Sequence, residues 1–326
     1  MSTILFGWQP EKLSETQVEQ ITQLAPDMDL LVTQDRAEIE ARLDDIEIIA
    51  RRFPYDLVKK APKLRWIQQW GAGADWLLRH DDVAELDVVV TNASGVHPIQ
   101  ITEHIFAFLL AFARQLHHAV RAQTRHEWRR PNRDDFTTDQ PFFELPGKTM
   151  LVVGVGAIGT RTVEIAKAMG MRVLGVRRNP ENGNPNIESM YGPDQLTKVL
   201  PEADFVVVTV PLTPETMGMI GEPELRAMKP TAYIVNIGRG RTIQEKALIR
   251  ALQEGWIAGA GLDVFDTEPL PETSPLWDME NVIITAHYAG LTPHYEERAM
   301  TIFMENLERY NNGQPLRNVV DKKLAY

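Results

Sequence analysis

The sequence predicts an α/β protein made of two doubly wound parallel-sheet domains, and three observations carry that expectation. Short apolar runs alternate with amphipathic stretches in two separate series, one before residue 92 and one from Lys148 onward. The second series is nearly continuous in β-branched residues, which suits strands covered on both faces. At 326 residues the chain is also longer than one hydrophobic core usually serves.

In the first series TILFGW, DLLVT, IEIIA, RWIQQ and DVVVT read as strands, with helices over 11–24 and 34–43. The opening MSTILFGWQPEKLSE has no basic region followed by an apolar core and a small-residue cleavage site, so it reads as a first strand and not a signal peptide. One long helix is expected from Ile99 to about Arg125. Its middle, IFAFLLAFA at 105–113, is apolar all round, which predicts burial against another domain or subunit. That run is too short to span a bilayer. Residues 127–147 are polar, carry several prolines and lack periodicity, so they read as a surface connection.

In the second series TMLVVGV, RVLGV, DFVVVTV, AYIVNI, AGAGLDV and VIITAH read as strands, with helices near 158–169, 193–200, 222–228 and 243–254. A last helix is expected over about 293–310. No solenoid repeat or low-complexity segment interrupts the pattern.

A formal net charge of -11 argues against a general nucleic-acid binder, which carries a basic face. The absence of cysteine excludes disulfides and thiolate metal sites and is consistent with a cytoplasmic protein. His117 and His118 are adjacent, as are Glu103 and His104, so neither pair has the spacing of ligands on one helix face; no metal site is expected. Arg51 and Arg52 read as a solvated pair, and His97 and Gln100 as structural residues where the chain passes between domains.

Gly154, Gly156 and Gly159 form G-x-G-x-x-G between a strong strand and a strong helix. The first glycine permits the tight turn, the second lets backbone approach a pyrophosphate, and the third lets helix and strand pack closely. The helix start, with Ala157 and Ile158, then offers free N–H groups to the phosphates. At the end of the next strand an NAD site wants an acid for the ribose hydroxyls. Here stand Arg177 and Arg178, whose guanidiniums suit the 2′-phosphate of NADP.

Further segments extend the pattern: WGAGADWL at 70–77, VPLTPETMGMI at 210–220, NIGRG at 236–240, GLDVFDTEPL at 261–270 and NVIITAHYAG at 281–290. With the glycine loop beginning near 151, they resemble the D-isomer-specific 2-hydroxyacid dehydrogenase family along nearly the whole chain. The arginines at 177 and 178 resemble those of its NADPH-preferring hydroxypyruvate and glyoxylate reductases. The resemblance implies Arg239, Glu268 and His287 as catalytic residues, and Asp263 as the residue facing the nicotinamide amide. It places the substrate carboxylate on the backbone of Ala72 and Gly73, with Arg239 and His287 completing substrate contact. Pro211 and Thr216 on the adenine side, Ile237 and Gly290 join the cofactor contacts. The family often has proline before its catalytic histidine, where this chain has Ala286, a change that touches backbone shape and not chemistry.

The residue types fit the implied reaction. Reducing a 2-keto acid needs a hydride on carbon and a proton on the developing alkoxide; an imidazole is the natural proton donor near neutral pH. A carboxylate beside it favours the charged form and fixes the ring. An arginine pairs with the substrate carboxylate and polarises the ketone.

The expectation is a Rossmann cofactor domain over 100–292, and a flavodoxin-like substrate domain of 1–99 plus 293–326, with a cleft between them. The expected activity is NADPH-dependent reduction of 2-keto acids, glyoxylate and hydroxypyruvate or bulkier ones, to D-2-hydroxy acids, with NADP(H) preferred over NAD(H). The resemblance also implies a homodimer, with the helix near 99–125 at the interface. The alternative is a nucleotide-sensing interaction protein on the same scaffold, like the corepressors of the superfamily.

Overall fold

The computed structural model describes residues 1–128 and 142–324. Most of the connection expected over 127–147, and the last two residues of the tail, lie outside the described residues. The chain divides into two compact units, Met1–Val96 with Thr292–Tyr326, and His97–Leu291.

In the first unit five parallel strands, β1 (Ser2–Gly7), β2 (Met28–Val32), β3 (Ile46–Arg51), β4 (Trp66–Gln68) and β5 (Val89–Thr91), form a sheet in the order β2-β1-β3-β4-β5. This is the flavodoxin-like order. Alternation along β1 builds both sides of the core. Ile4 and Phe6 pack with Trp66 and with Phe303 and Leu307 of helix Tyr295–Asn311, while Leu5 joins Ile39, Ile49 and Val90. The final helix thus belongs to the first unit's core, although it follows the second unit in sequence.

The second unit holds seven parallel strands: β6 (Thr149–Val153), β7 (Arg172–Val176), β8 (Ser189–Tyr191), β9 (Phe205–Val208), β10 (Tyr233–Asn236), β11 (Gly259–Leu262) and β12 (Val282–Ile284). Their order is β12-β11-β10-β9-β6-β7-β8, so the winding direction reverses between β6 and β9. Ligands of open α/β sheets bind at the carboxyl ends of the strands beside such a reversal. Leu151, Val153, Val206, Val208 and Ile234 face one core, and Met150, Val152, Phe205, Val207 and Val235 the other. Strand β8 was not expected: its Ser-Met-Tyr is half-buried throughout and carries no β-branched residue to mark it.

The long helix expected near 99–125 is two helices, Pro98–Ala113 and Leu116–Thr124. The break is at Gln115, which takes a left-handed φ of 54° while its side-chain Nε2 donates to the Phe112 carbonyl at 2.8 Å. Periodicity continues across the break, so composition did not reveal it. The apolar middle is buried, but within its own unit: Ile105, Phe108, Leu109 and Phe112 pack with Val152, Val163 and Val207. At Gly261 on β11, a Cβ would lie 2.7 Å from the Phe108 ring, so the absent side chain is what admits the helix so closely. Ile99, Leu110, Leu116 and Val120 are the large apolar side chains these two helices leave exposed.

Candidate functional site

Every cofactor or catalytic position expected in the second unit lies just past the carboxyl end of a strand. From one side of the sheet to the other these are His287 after β12, Asp263 after β11, Arg239 after β10, Pro211 and Thr216 after β9, the glycine loop after β6, and Arg177 and Arg178 after β7. Five inter-strand steps separate β12 from β7, about 24 Å at about 4.8 Å per step. The candidate acid–base residues stand at one end of this row and the candidate phosphate-binding arginines at the other.

The three loop glycines are each required for a different reason. Gly154 has φ 104°, and a Cβ there would come within 2.9 Å of the Val210 backbone nitrogen. Gly159 sits so close to the turn that a Cβ would lie 2.2 Å from the Gly154 carbonyl oxygen. Gly156 is different: a Cβ there would meet nothing within 4 Å, which leaves open space for a pyrophosphate to come close to the backbone. Gly156 also caps helix Ala157–Ala168 without a side-chain hydrogen bond, so the helix start keeps amides to offer an anion. These residues fit a dinucleotide pyrophosphate.

Arg177 and Arg178 follow β7 directly, and the Val176 carbonyl accepts from the Gly154 amide at 2.9 Å, tying strand end to glycine loop. Arg177 Nη1 donates to the Asn182 carbonyl at 2.9 Å, and Arg178 Nη2 to Glu215 Oε2 at 2.5 Å.

His287 and Glu268 come together across nineteen residues of sequence, with His287 Nδ1 2.7 Å from Glu268 Oε2. Glu268 Oε1 accepts from the Phe265 amide at 3.0 Å, so both carboxylate oxygens are placed. With Nδ1 donating to the carboxylate, Nε2 is the ring nitrogen that can hand over or take a proton.

His287 has a left-handed φ of 53°, an unfavourable region for a non-glycine residue. Asp263 holds it there. The Asp263 carbonyl accepts from the His287 amide at 2.9 Å, Oδ1 from the Tyr288 amide at 3.0 Å and Oδ2 from the Ala289 amide at 3.1 Å. Oδ1 also accepts from the Thr285 hydroxyl at 2.6 Å. Three consecutive amides and one hydroxyl of the histidine loop thus converge on one buried aspartate. This bracing role had no signal in the sequence.

His104, on helix Pro98–Ala113, completes the bracing: its Nε2 lies 3.0 Å from Thr285 Oγ1 and 3.9 Å from Asp263 Oδ1. Burial lowers its pKa from the ordinary histidine value, against the pull of Asp263. Gln100 and His97 buttress the loop's end. Gln100 Nε2 donates to the Gly290 carbonyl at 3.1 Å, and a Cβ on Gly290 would lie 3.2 Å from the His97 ring.

Arg239 is fixed through its backbone. Its carbonyl accepts from the Thr242 hydroxyl at 2.7 Å and from Asn236 Nδ2 at 3.1 Å, and its Nη1 donates to the Gly238 carbonyl at 2.9 Å. The flanking glycines are forced by contact. A Cβ on Gly238 would lie 2.6 Å from the Val210 carbonyl oxygen, and one on Gly240 only 1.9 Å from the Phe265 carbonyl carbon. Gly240 therefore presses the arginine segment onto the backbone that leads to Glu268. Ile237 beneath it is buried. Thr216 closes the loop after β9, its hydroxyl donating to the Pro211 carbonyl at 2.6 Å.

In the first unit, the stretch from Trp70 to Gly73 has its carbonyls turned inward. Those of Trp70, Gly71 and Ala72 accept from the Tyr295 hydroxyl at 2.7 Å, the Ala93 amide at 3.0 Å and Asn92 Nδ2 at 2.8 Å, and that of Gly73 accepts from Gln69 Nε2. Among the described residues, no acceptor takes the amides of Gly71, Ala72 and Gly73. Such a run of available donors suits an anion.

Arg51 is not the solvated residue its sequence suggested. Its guanidinium lies 3.9 Å from the Trp8 ring centroid and pairs with Glu296, which also accepts from Trp70 Nε1 at 2.8 Å. Arg52 is exposed. Among the described residues there is no cluster of three metal-ligating side chains, and no helix is long and apolar enough to cross a membrane.

Residues 106–289 match the family model of the D-isomer specific 2-hydroxyacid dehydrogenase, NAD binding domain. A glyoxylate reductase of Korarchaeum cryptofilum (strain OPF8) is 38% identical over 290 residues, covering 86% of this chain and 83% of the relative. A glyoxylate reductase of Pyrococcus furiosus is 34% identical over 318 residues, 97% of this chain and 89% of the relative. Among solved structures, a D-isomer specific 2-hydroxyacid dehydrogenase from Xanthobacter autotrophicus Py2, in complex with NADPH and MES, superposes with a TM-score of 0.82 at 28% identity, covering 100% of this chain and 99% of that one. An NADPH-dependent glyoxylate/hydroxypyruvate reductase from Sinorhizobium meliloti, in complex with NADP and sulfate, superposes at 0.81 with 26% identity over 100% of both chains.

Proposed function

The chain belongs to the D-isomer specific 2-hydroxyacid dehydrogenase family, and within it we propose an NADPH-preferring reductase that converts 2-keto acids such as glyoxylate and hydroxypyruvate to D-2-hydroxy acids. The observation that carries the chemistry is the His287–Glu268 pair at 2.7 Å, on the strand edge that also bears the glycine loop. Bound on that edge, the reduced nicotinamide supplies the hydride.

The chain's own residues supply the rest. His287 gives the proton from Nε2 to the ketone oxygen as negative charge builds there, and Glu268 keeps Nδ1 as donor and steadies the imidazolium. Asp263 holds the loop so that the ring stays in reach. It also faces the nicotinamide amide. Arg239 pairs with the substrate carboxylate and draws electron density from the ketone. In the first unit, the amides of Ala72 and Gly73 are donors that suit a carboxylate. Pro211, Thr216, Ile237 and Gly290 line the cofactor's path, with Ala157 and Ile158 at its pyrophosphate. We further infer a cytoplasmic homodimer, with the exposed Ile99, Leu110, Leu116 and Val120 as candidate interface residues.

NADPH preference is supported by the two arginines after β7, by the absence of an acid at positions 177 and 178, and by the NADPH- or NADP-bound relatives. The test is a comparison of kcat/KM for the two reduced cofactors. NADPH is expected to be used much better than NADH, and Arg177→Asp to narrow or reverse the ratio by repelling the 2′-phosphate. Equal use of both cofactors by the unmutated protein would remove the preference.

A further inference from the structure

The end of β7 carries no acid, but one reaches it from the loop after β9. Arg178 Nη2 donates to Glu215 Oε2 at 2.5 Å, and Glu215 lies in the loop after β9, thirty-seven residues away. The loop is built to hold it. The Thr213 amide donates to the Thr216 hydroxyl at 2.8 Å, the Thr216 amide to the Thr213 hydroxyl at 3.2 Å, and the Met217 amide to the Thr213 carbonyl at 3.0 Å. Thr213 itself is buried, so Glu215 projects from a backbone locked on both sides.

The two arginines therefore differ. Arg177 rests on a neutral carbonyl in its own loop, whereas Arg178 rests on a carboxylate from the adenine-side loop. The Arg178 and Glu215 side chains are 40% and 61% exposed, so the pair adds little to stability. Its consequence is for what else binds there. A 2′-phosphate approaching Arg178 meets the Glu215 charge and must displace it. A ribose bearing free hydroxyls meets an acceptor of the kind an acid at the strand end otherwise provides.

We propose that Glu215 is a specificity-determining residue that restrains selection for NADP(H), competing with the 2′-phosphate for Arg178 and accepting the ribose hydroxyls of NAD(H). The inference rests on the proposed phosphate-binding role of the Arg177–Arg178 pair. The two fail separately in one experiment: calorimetric titration of NADPH and NADH into the full-length protein, Glu215→Gln and Arg178→Gln.

Glu215→Gln is expected to tighten NADPH by about three- to ten-fold and to weaken NADH, with the NADPH effect shrinking as salt is raised, because both groups are exposed. Unchanged dissociation constants for both cofactors in Glu215→Gln, while Arg178→Gln weakens NADPH, would overturn the role of Glu215 and leave the arginine site standing. NADPH binding unaffected by Arg178→Gln would overturn the role of Arg178 in phosphate binding itself, and the inference with it.

Discussion

Replacement of His287 by asparagine is expected to lower kcat by about 10²- to 10⁴-fold, the usual worth of a positioned general acid, while NADPH binding measured by titration stays within a few-fold. The separation follows from the position of the residue. The imidazole stands beside Glu268 after β12, whereas the glycine loop and the arginines belong to β6 and β7 across the sheet. Asparagine is chosen because it is among the residues that best tolerate a left-handed φ, so the loop bonded to Asp263 is kept. Turnover within a few-fold of the parent would remove His287 from the proton transfer.

The second large effect is expected at Arg239. Arg239→Gln removes the charge that pairs with the substrate carboxylate and polarises the ketone, so kcat/KM for the 2-keto acid should fall by about 10²- to 10³-fold. The KM for the keto acid should rise while the dissociation constant for NADPH changes little. Arg239→Lys restores charge without the planar fork and should recover only part of the loss. Backbone disruption is not the expected cause. The bonds from Thr242 and Asn236 go to the Arg239 carbonyl, which either substitution keeps. An unchanged keto-acid KM in Arg239→Gln would contradict the carboxylate role.

What the sequence revealed and what it hid divide along a physical line. Gly154, Gly156 and Gly159 announce their loop because the requirements of a tight turn, an open approach and a close packing are each met by the local residue type. The alternating runs announce both sheets, since side-chain period and burial are local properties as well. Gln115 breaks a helix without disturbing periodicity, because the side chain that stabilises its left-handed turn bonds within one turn of its own backbone. The Ser189–Tyr191 strand sits at the sheet edge and needs no apolar pattern.

The candidate site follows the same line. Arg239, Glu268 and His287 stood out through their flanking segments, but their fixing partners did not. Asp263 braces the histidine loop only because β11 and β12 are neighbours, and His104 reaches Thr285 only because its helix packs against that edge. Arg51 looked solvated because neither Trp8 nor Glu296 is near it in sequence. Glu215 was hidden for the same reason: its meeting with Arg178 depends on two loops from different strands.

The proposed function requires this chain to reduce 2-keto acids with NADPH. Its most direct test is the loss of NADPH absorbance when purified full-length protein is mixed with hydroxypyruvate or glyoxylate, with the product from hydroxypyruvate resolved by chirality. Steady turnover with both substrates is expected, with D-glycerate as the product from hydroxypyruvate. Tight NADPH binding without turnover of these or of bulkier 2-keto acids, or formation of L-glycerate, would contradict it.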